Sequence, residues 1–78
     1  MNEHRLKEAF SRALAIPIDS VTDALRYEGI GEWDSIAHMQ LIAAIDQTFD
    51  IMLDTEDVLD LSSFAQAKVL LRKYDIEF

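Results

Sequence analysis

Apolar residues recur at helical spacing near both ends of the chain, and neither stretch alternates as a strand does. Near the N-terminus one apolar stripe, with Ala9 at its edge, consists of Leu6, Phe10, Ala13 and Leu14. Because Pro17 disfavours helical backbone at the residue before it, this first helix is predicted to end near Leu14 or Ala15. The N-terminal stretch therefore contributes one core-forming helix.

Two further helices are predicted in the C-terminal third of the chain. The first is short, residues 54–61, with Asp54 as its N-cap and Asp57 in a first turn where negative charge is favoured. Ser63 then begins the last helix, and Gln66 can complete a capping box with it. The apolar stripe of this last helix consists of Phe64, Ala67, Leu70, Leu71 and Tyr74.

The middle helix, residues 35–49, has more apolar residues than one face can hold. One stripe is spaced for a core and consists of His38, Leu41, Ile42, Ile45 and Phe49. Ile36, Met39 and Ala43 form a second stripe, displaced around the helix. Because so small a domain cannot easily bury a whole helix, the second stripe is predicted to meet a partner.

Between the first two main helices, residues 16–34 show no sustained period. Loops of this length in small domains are usually functional or held down by their own side chains. We therefore expect Val21, Leu25 and Ile30 to anchor this loop in the core. Trp33 has two interpretations: it seals the end of the bundle, or it contacts a partner, as Trp often does at interface hot spots.

Together these elements predict an all-α fold, a small four-helix bundle of three main helices and one short helix, with a long loop between helices 1 and 2. The 78 residues form a single domain, residues 1–78. The lack of Cys excludes disulfides, and two distant His residues make no metal site. No apolar run resembles a leader or reaches membrane-spanning length, so we expect a cytoplasmic protein that does not enter a membrane.

The charge pattern restricts the partners. The net charge is −8, and between residues 19 and 60 Arg26 is the only Lys or Arg among many acids. Such a surface repels nucleic acid, which needs a basic footprint, and attracts basic protein surfaces instead. The alternative is that these acids serve solubility alone.

Asp34 and Ser35 stand at the start of the middle helix, and both residue types are good N-caps. With His38 they also suggest a hydrolase. However, the three residues lie within one segment, no third side chain orients the His, and no Gly-x-Ser-x-Gly turn is present. We therefore expect no enzymatic activity and place His38 at the edge of the core.

A family resemblance gives this segment another interpretation. Asp34-Ser35-Ile36 resembles the Asp-Ser-Leu motif of acyl and peptidyl carrier proteins, with Ile in place of Leu. Gly31-Glu32-Trp33-Asp34-Ser35 followed by Ala37-His38 resembles stand-alone carriers with a Glu-Trp-Asp-Ser-Leu motif. Phe49-Asp50-Ile51 is similar to the family's closure of this helix. The resemblance covers roughly residues 5 to 74.

The resemblance implies that a phosphopantetheinyl transferase moves 4′-phosphopantetheine from coenzyme A onto the Ser35 oxygen. Asp34 would then lie beside the metal and basic residues of the transferase. The arm would hold acyl or aminoacyl cargo as a thioester for a ligase or synthase and for later enzymes. The resemblance also assigns partner recognition to the second stripe of this helix, at Ile36, Met39 and Ala43, and to Asp46. Trp33 is a further candidate because Trp is enriched at interface hot spots.

One departure from the family bears on the pathway. Fatty-acid-synthesis carriers usually bear several acids along this helix, whereas here Asp46 stands almost alone before Asp50. This difference favours a specialised biosynthetic pathway. The Met1 start and the lack of flanking linkers suggest a discrete, monomeric protein acting in trans. The alternative function is an unmodified acidic helical domain that binds a basic or apolar helix and carries nothing.

Overall fold

The computed structural model describes residues 2–78. Its α-helices are α1 (Asn2–Leu14), α2 (Ser35–Phe49), α3 (Thr55–Asp60) and α4 (Phe64–Arg72), with a 3-10 helix, Ile18–Ser20, after α1. This arrangement confirms the predicted all-α bundle of three main helices and one short helix. Within the described residues, β pairing is limited to an isolated bridge between Arg26 and Ser63.

Three aromatic rings form the centre of the core. Phe10 of α1 meets the Trp33 ring edge-to-face at 5.4 Å between centroids, and it meets the Phe64 ring in the same way at 5.1 Å. All three side chains are fully buried. Edge-to-face pairs stabilise a core beyond their buried area. This cluster joins α1, α4 and the end of the long loop, where Trp33 lies.

The end of α1 follows from its sequence. The helix ends at Leu14, as predicted, and Ala15 takes a left-handed conformation with φ of 56°. The Ile16 N–H then donates to the Ser11 carbonyl at 3.1 Å. Pro17 adopts an extended conformation and precedes the 3-10 helix, so the chain turns sharply away from α1.

The long loop is held against the bundle at the expected positions. Val21 and Leu25 are buried, and Ile30 is half-buried against the core. The Phe64 N–H donates to the Leu25 carbonyl at 3.0 Å, and the Tyr27 N–H donates to the Ser62 carbonyl at 2.9 Å. These backbone bonds join the loop to the start of α4, so the segment that precedes α2 has a defined course.

The short helix α3 corrects one expectation and adds to another. Asp54 occupies the N-cap position, but its side chain makes no capping hydrogen bond. Asp57 lies in the first turn, as predicted, but its side chain is turned inward. It is only 3% exposed and accepts hydrogen bonds from Lys73 Nζ at 2.6 Å and from the Tyr74 hydroxyl at 2.7 Å. Because six residues make fewer than two turns, α3 depends on this tertiary anchor more than on a local cap.

The start of α4 agrees with the sequence. Ser63 is the N-cap, and its hydroxyl accepts a hydrogen bond from the Gln66 N–H at 2.9 Å. The predicted stripe is buried except for the half-buried Tyr74, and it comprises Phe64, Ala67, Leu70 and Leu71. The cap and the stripe together give α4 the direction that brings Lys73 and Tyr74 to Asp57.

The Asp57 anchor predicts a pH-dependent stability. The hydrogen bonds from Lys73 and Tyr74 hold the pKa of Asp57 below the ordinary carboxyl value. The anchor should therefore stabilise the fold fully above that ordinary value and lose its effect as the pH falls through the lowered pKa. Asp57→Asn should lower the melting temperature at neutral pH and flatten its decline in acid, measured by circular dichroism.

The matched control for this prediction is Asp60→Asn, an exposed acid on the same helix. Its melting temperature should follow that of the wild type at every pH. An Asp57→Asn protein that melts like the wild type at neutral pH would show that the anchor adds no stability.

Candidate functional site

The beginning of α2 presents Ser35 to solvent. Asp34 is the N-cap in an extended conformation, and its Oδ1 accepts a hydrogen bond from the Ala37 N–H at 2.9 Å. Ser35 is the first helical residue and is exposed. Of the two candidate caps, Asp34 therefore holds the helix end, and the Ser35 hydroxyl lies at the surface.

The backbone at this point favours an anion. The His38 N–H donates to the Asp34 carbonyl at 2.8 Å, and the Ala37 N–H is taken by the Asp34 carboxylate. The N–H groups of Ser35 and Ile36 come before any possible intrahelical acceptor. Free N–H groups and the positive end of the helix dipole suit a phosphate attached at Ser35, although the adjacent Asp34 carboxylate opposes it.

Trp33, the residue before the Asp34 cap, anchors this segment in the core. Its side chain is fully buried, with the Phe10 ring on one side and the Tyr27 ring edge-to-face at 6.2 Å. The prediction that Trp33 contacts a partner is therefore wrong, because the side chain has no surface to offer. The alternative prediction, that Trp33 seals the bundle, is correct.

His38 lies at the edge of the core, as expected, but it is oriented by groups that the sequence analysis missed. Its Nδ1 accepts a hydrogen bond from Trp33 Nε1 at 3.0 Å. Its Nε2 lies 2.8 Å from the Val58 carbonyl and must donate to it, because a carbonyl only accepts. Both ring nitrogens are engaged, so His38 is not arranged as a base for Ser35.

The two apolar stripes of α2 separate as predicted. Leu41 and Ile45 are fully buried, whereas Ile36 is 72% and Met39 is 60% exposed, and Ala43 is also exposed. We call Ile36, Met39 and Ala43 the α2 surface stripe. Its apolar side chains remain in water next to Ser35, which is unfavourable for a face that never meets another molecule.

Asp46 holds the chain that follows α2. It is half-buried, and its Oδ1 accepts a hydrogen bond from the Leu53 N–H at 3.2 Å.

Two apolar residues outside α2 are also exposed to solvent. Met52 is 83% and Leu59 is 78% exposed. Sequence reasoning missed both as surface residues, because a six-residue helix and a short connection show no period.

Two other kinds of site are not found among the described residues. Within residues 2–78, no group of three or more His, Cys, Asp or Glu side chains is placed to hold a metal ion. None of the helices in that range is both long enough and apolar enough to cross a membrane. The candidate site is the exposed Ser35 at the start of α2.

Comparison with known proteins gives a family match. Residues 4–67 match the model of a family described as PP-binding, phosphopantetheine attachment site. The matched range contains Asp34 and Ser35 and covers most of the 78 residues. Among curated proteins, none matches this chain.

The cap geometry predicts different stabilities for two neighbouring variants. Asp34→Ala removes the side-chain acceptor of the Ala37 N–H, so the free energy of unfolding should fall by about 1 kcal/mol. Ser35→Ala removes an exposed hydroxyl that does not cap the helix, so it should leave that free energy within about 0.5 kcal/mol of wild type. Urea denaturation measures both. Equal losses in the two variants would contradict the assignment of Asp34 as the cap.

Proposed function

The chain belongs to the phosphopantetheine-attachment family, and we propose that Ser35 is the residue to which the 4′-phosphopantetheine is attached. Members of this family hold the group covalently and are not enzymes themselves; they carry intermediates for other enzymes. One observation carries the choice of residue. Ser35 is the exposed hydroxyl at the start of α2, next to a cap that leaves two backbone N–H groups free.

The residues around Ser35 suit the transfer. The Ser35 oxygen would form a bond to the pantetheine-side phosphorus of coenzyme A and lose its proton to the transferase, while the P–O bond of the pyrophosphate breaks and 3′,5′-ADP leaves. The Ser35 and Ile36 N–H groups would then face the resulting phosphodiester. Asp34 faces the same region with one carboxylate, so we propose that it meets the metal and the basic residues of the phosphopantetheinyl transferase rather than stabilising the product.

The attached arm supplies a thiol, and the chain has no Cys to compete with it. We propose that acyl or aminoacyl cargo is carried there as a thioester, loaded by a ligase or synthase.

The outer side of α2 bears little charge. Met39 and Gln40 lie on it, and the single acid of the helix, Asp46, is engaged with Leu53. This weakly charged helix favours dedicated partners of a specialised pathway over those of fatty-acid synthesis.

We propose that the α2 surface stripe is the docking surface for these enzymes. Ile36 immediately follows Ser35, and Met39 lies one turn further on, so a bound enzyme that covers them also reaches the attachment point. The acids between residues 19 and 60 would speed the approach of a basic partner. We further propose that the protein acts as a cytoplasmic monomer.

Intact-mass spectrometry tests the attachment residue. Incubation with coenzyme A and a broad-specificity transferase should raise the mass of the wild type by one phosphopantetheine. Ser35→Ala should keep its original mass, although Ser11, Ser20, Ser62 and Ser63 remain. An unmodified wild type would favour the alternative of an interaction domain without an arm, and a modified Ser35→Ala protein would place the arm elsewhere.

Substitution of Met39 tests the docking surface. Because Met39 is largely exposed, Met39→Ala should change the free energy of unfolding by about 1 kcal/mol or less. It should slow loading by the cognate ligase, and Met39→Glu should slow it further, because a charge must then lose its water on docking. Time courses of loading on folded protein, with samples quenched at intervals, measure both effects.

Val69 provides the matched control for Met39. It is 55% exposed on α4, so Val69→Glu adds the same charge to an apolar surface position outside α2. It should leave loading unchanged. Equal slowing by Val69→Glu and Met39→Glu would show a general effect of charge and would remove Met39 from the docking surface.

A further inference from the structure

Two hydrogen-bonded side chains bracket Ser35 in the sequence. Trp33 lies two residues before it and His38 three residues after it, and their rings are joined by the Nε1–H to Nδ1 bond of 3.0 Å. The two rings are nearly parallel, with an angle of 19° between their planes and 6.1 Å between centroids. Trp33 is buried and Ser35 exposed, so this link lies on the inner side of the turn that presents Ser35.

His38 continues the link to another helix. Its Nε2–H donates to the Val58 carbonyl of α3 at 2.8 Å. This carbonyl belongs to the last turn of a six-residue helix, where carbonyls have no intrahelical donor. We call the three residues the Trp33–His38–Val58 bridge. It joins the loop, α2 and α3 at the level of the attachment site.

The bridge is held by rigid surroundings. The Phe10 and Tyr27 rings fix the Trp33 ring edge-to-face, and the Tyr27 ring also meets the His38 ring at 5.3 Å. A fixed Trp33 N–H selects one neutral form of His38, with its proton on Nε2. The first turn of α2 is thereby fixed by more than the single hydrogen bond that the Asp34 side chain accepts from the Ala37 N–H.

We propose that His38 is a positioning residue for the modification of Ser35, an inference that rests on Ser35 being the attachment residue. Helix ends fray, and a transferase can use only the fraction of molecules whose first turn is formed. The apparent affinity of a partner falls in proportion to the competent fraction. Loss of the bridge should therefore raise the KM of the transferase for this protein while kcat stays near the wild-type value.

Two variants that keep an aromatic ring test the bridge. Trp33→Phe removes the N–H donor, and His38→Phe removes both ring nitrogens. Each lost hydrogen bond should raise KM by at most about fivefold, and His38→Phe, which loses two, should exceed Trp33→Phe. The double variant should match His38→Phe alone, because both changes break the same first bond. Ile45→Val, a core change elsewhere on α2, controls for lost stability and should keep the wild-type KM.

Nuclear magnetic resonance supplies a readout that does not depend on modification. In the wild type, the nitrogen resonances of His38 should show the form protonated at Nε2, because Nδ1 accepts from Trp33 and the Nε2–H donates to the Val58 carbonyl. Amide hydrogen exchange at Ala37 and His38, whose N–H groups are bonded to Asp34, should accelerate in both ring variants. A wild-type His38 that carries its proton on Nδ1 would overturn the bridge itself.

The outcomes separate this inference from the proposed function. A wild type that is not modified at Ser35 would overturn the attachment residue and, with it, the positioning role. If the wild type is modified at Ser35 and both ring variants keep its KM, the attachment residue stands and the positioning role of His38 is wrong. If Ile45→Val raises KM as much as His38→Phe, the effect comes from stability and the role is equally wrong.

Discussion

The burial of the Trp33 ring is the interaction on which the rest of the structure depends. It closes the aromatic centre of the bundle against Phe10 of α1, and it does so one residue before the Asp34 cap. While the Trp33 ring is buried, the two residues that follow it, Asp34 and Ser35, are exposed, and α2 therefore begins at the surface. The packing of the core and the exposure of Ser35, the proposed attachment residue, are thus two consequences of one side-chain placement.

Charge is distributed so that the bundle is held together away from that site. Lys68 bonds Asp23 at 2.9 Å and Glu3 at 3.4 Å, and the bond to Asp23 raises the pKa of Lys68, which keeps it charged. Lys73 bonds the buried Asp57 on the short helix α3. Lys68 and Lys73 therefore join α4 and the residue after it to the loop, to α1 and to α3. The region around Ser35 is left acidic and apolar, a combination that suits a surface visited by basic enzymes.

The helix α2 serves two environments because its apolar residues fall on two faces. One face, with Leu41 and Ile45, supplies the core, while Ile36 and Met39 lie in water on the other. A fully buried helix would need a larger domain to surround it. A carrier domain instead benefits from a helix that is rigid on its inner side and available on its outer side, since cargo must be passed among several partners. His38 accepts a hydrogen bond from Trp33 and donates one to the Val58 carbonyl, and these bonds add a rigid connection at the N-terminal end of α2, beside Ser35.

The sequence by itself determined the helices and the attachment motif, and the tertiary structure decided how the motif is supported. The bounds of α2, the end of α1 before Pro17 and the Ser63 cap are set by residues within a few positions of one another, so local patterns were enough. The inward Asp57, the buried Trp33 and the bond from His38 to Val58 join residues that come together only when the helices pack, and a single residue in a loop or a short helix has no period to show its direction. Local backbone preferences therefore placed Ser35 at a helix start, while long-range packing determined which of its neighbours face the core and which face solvent.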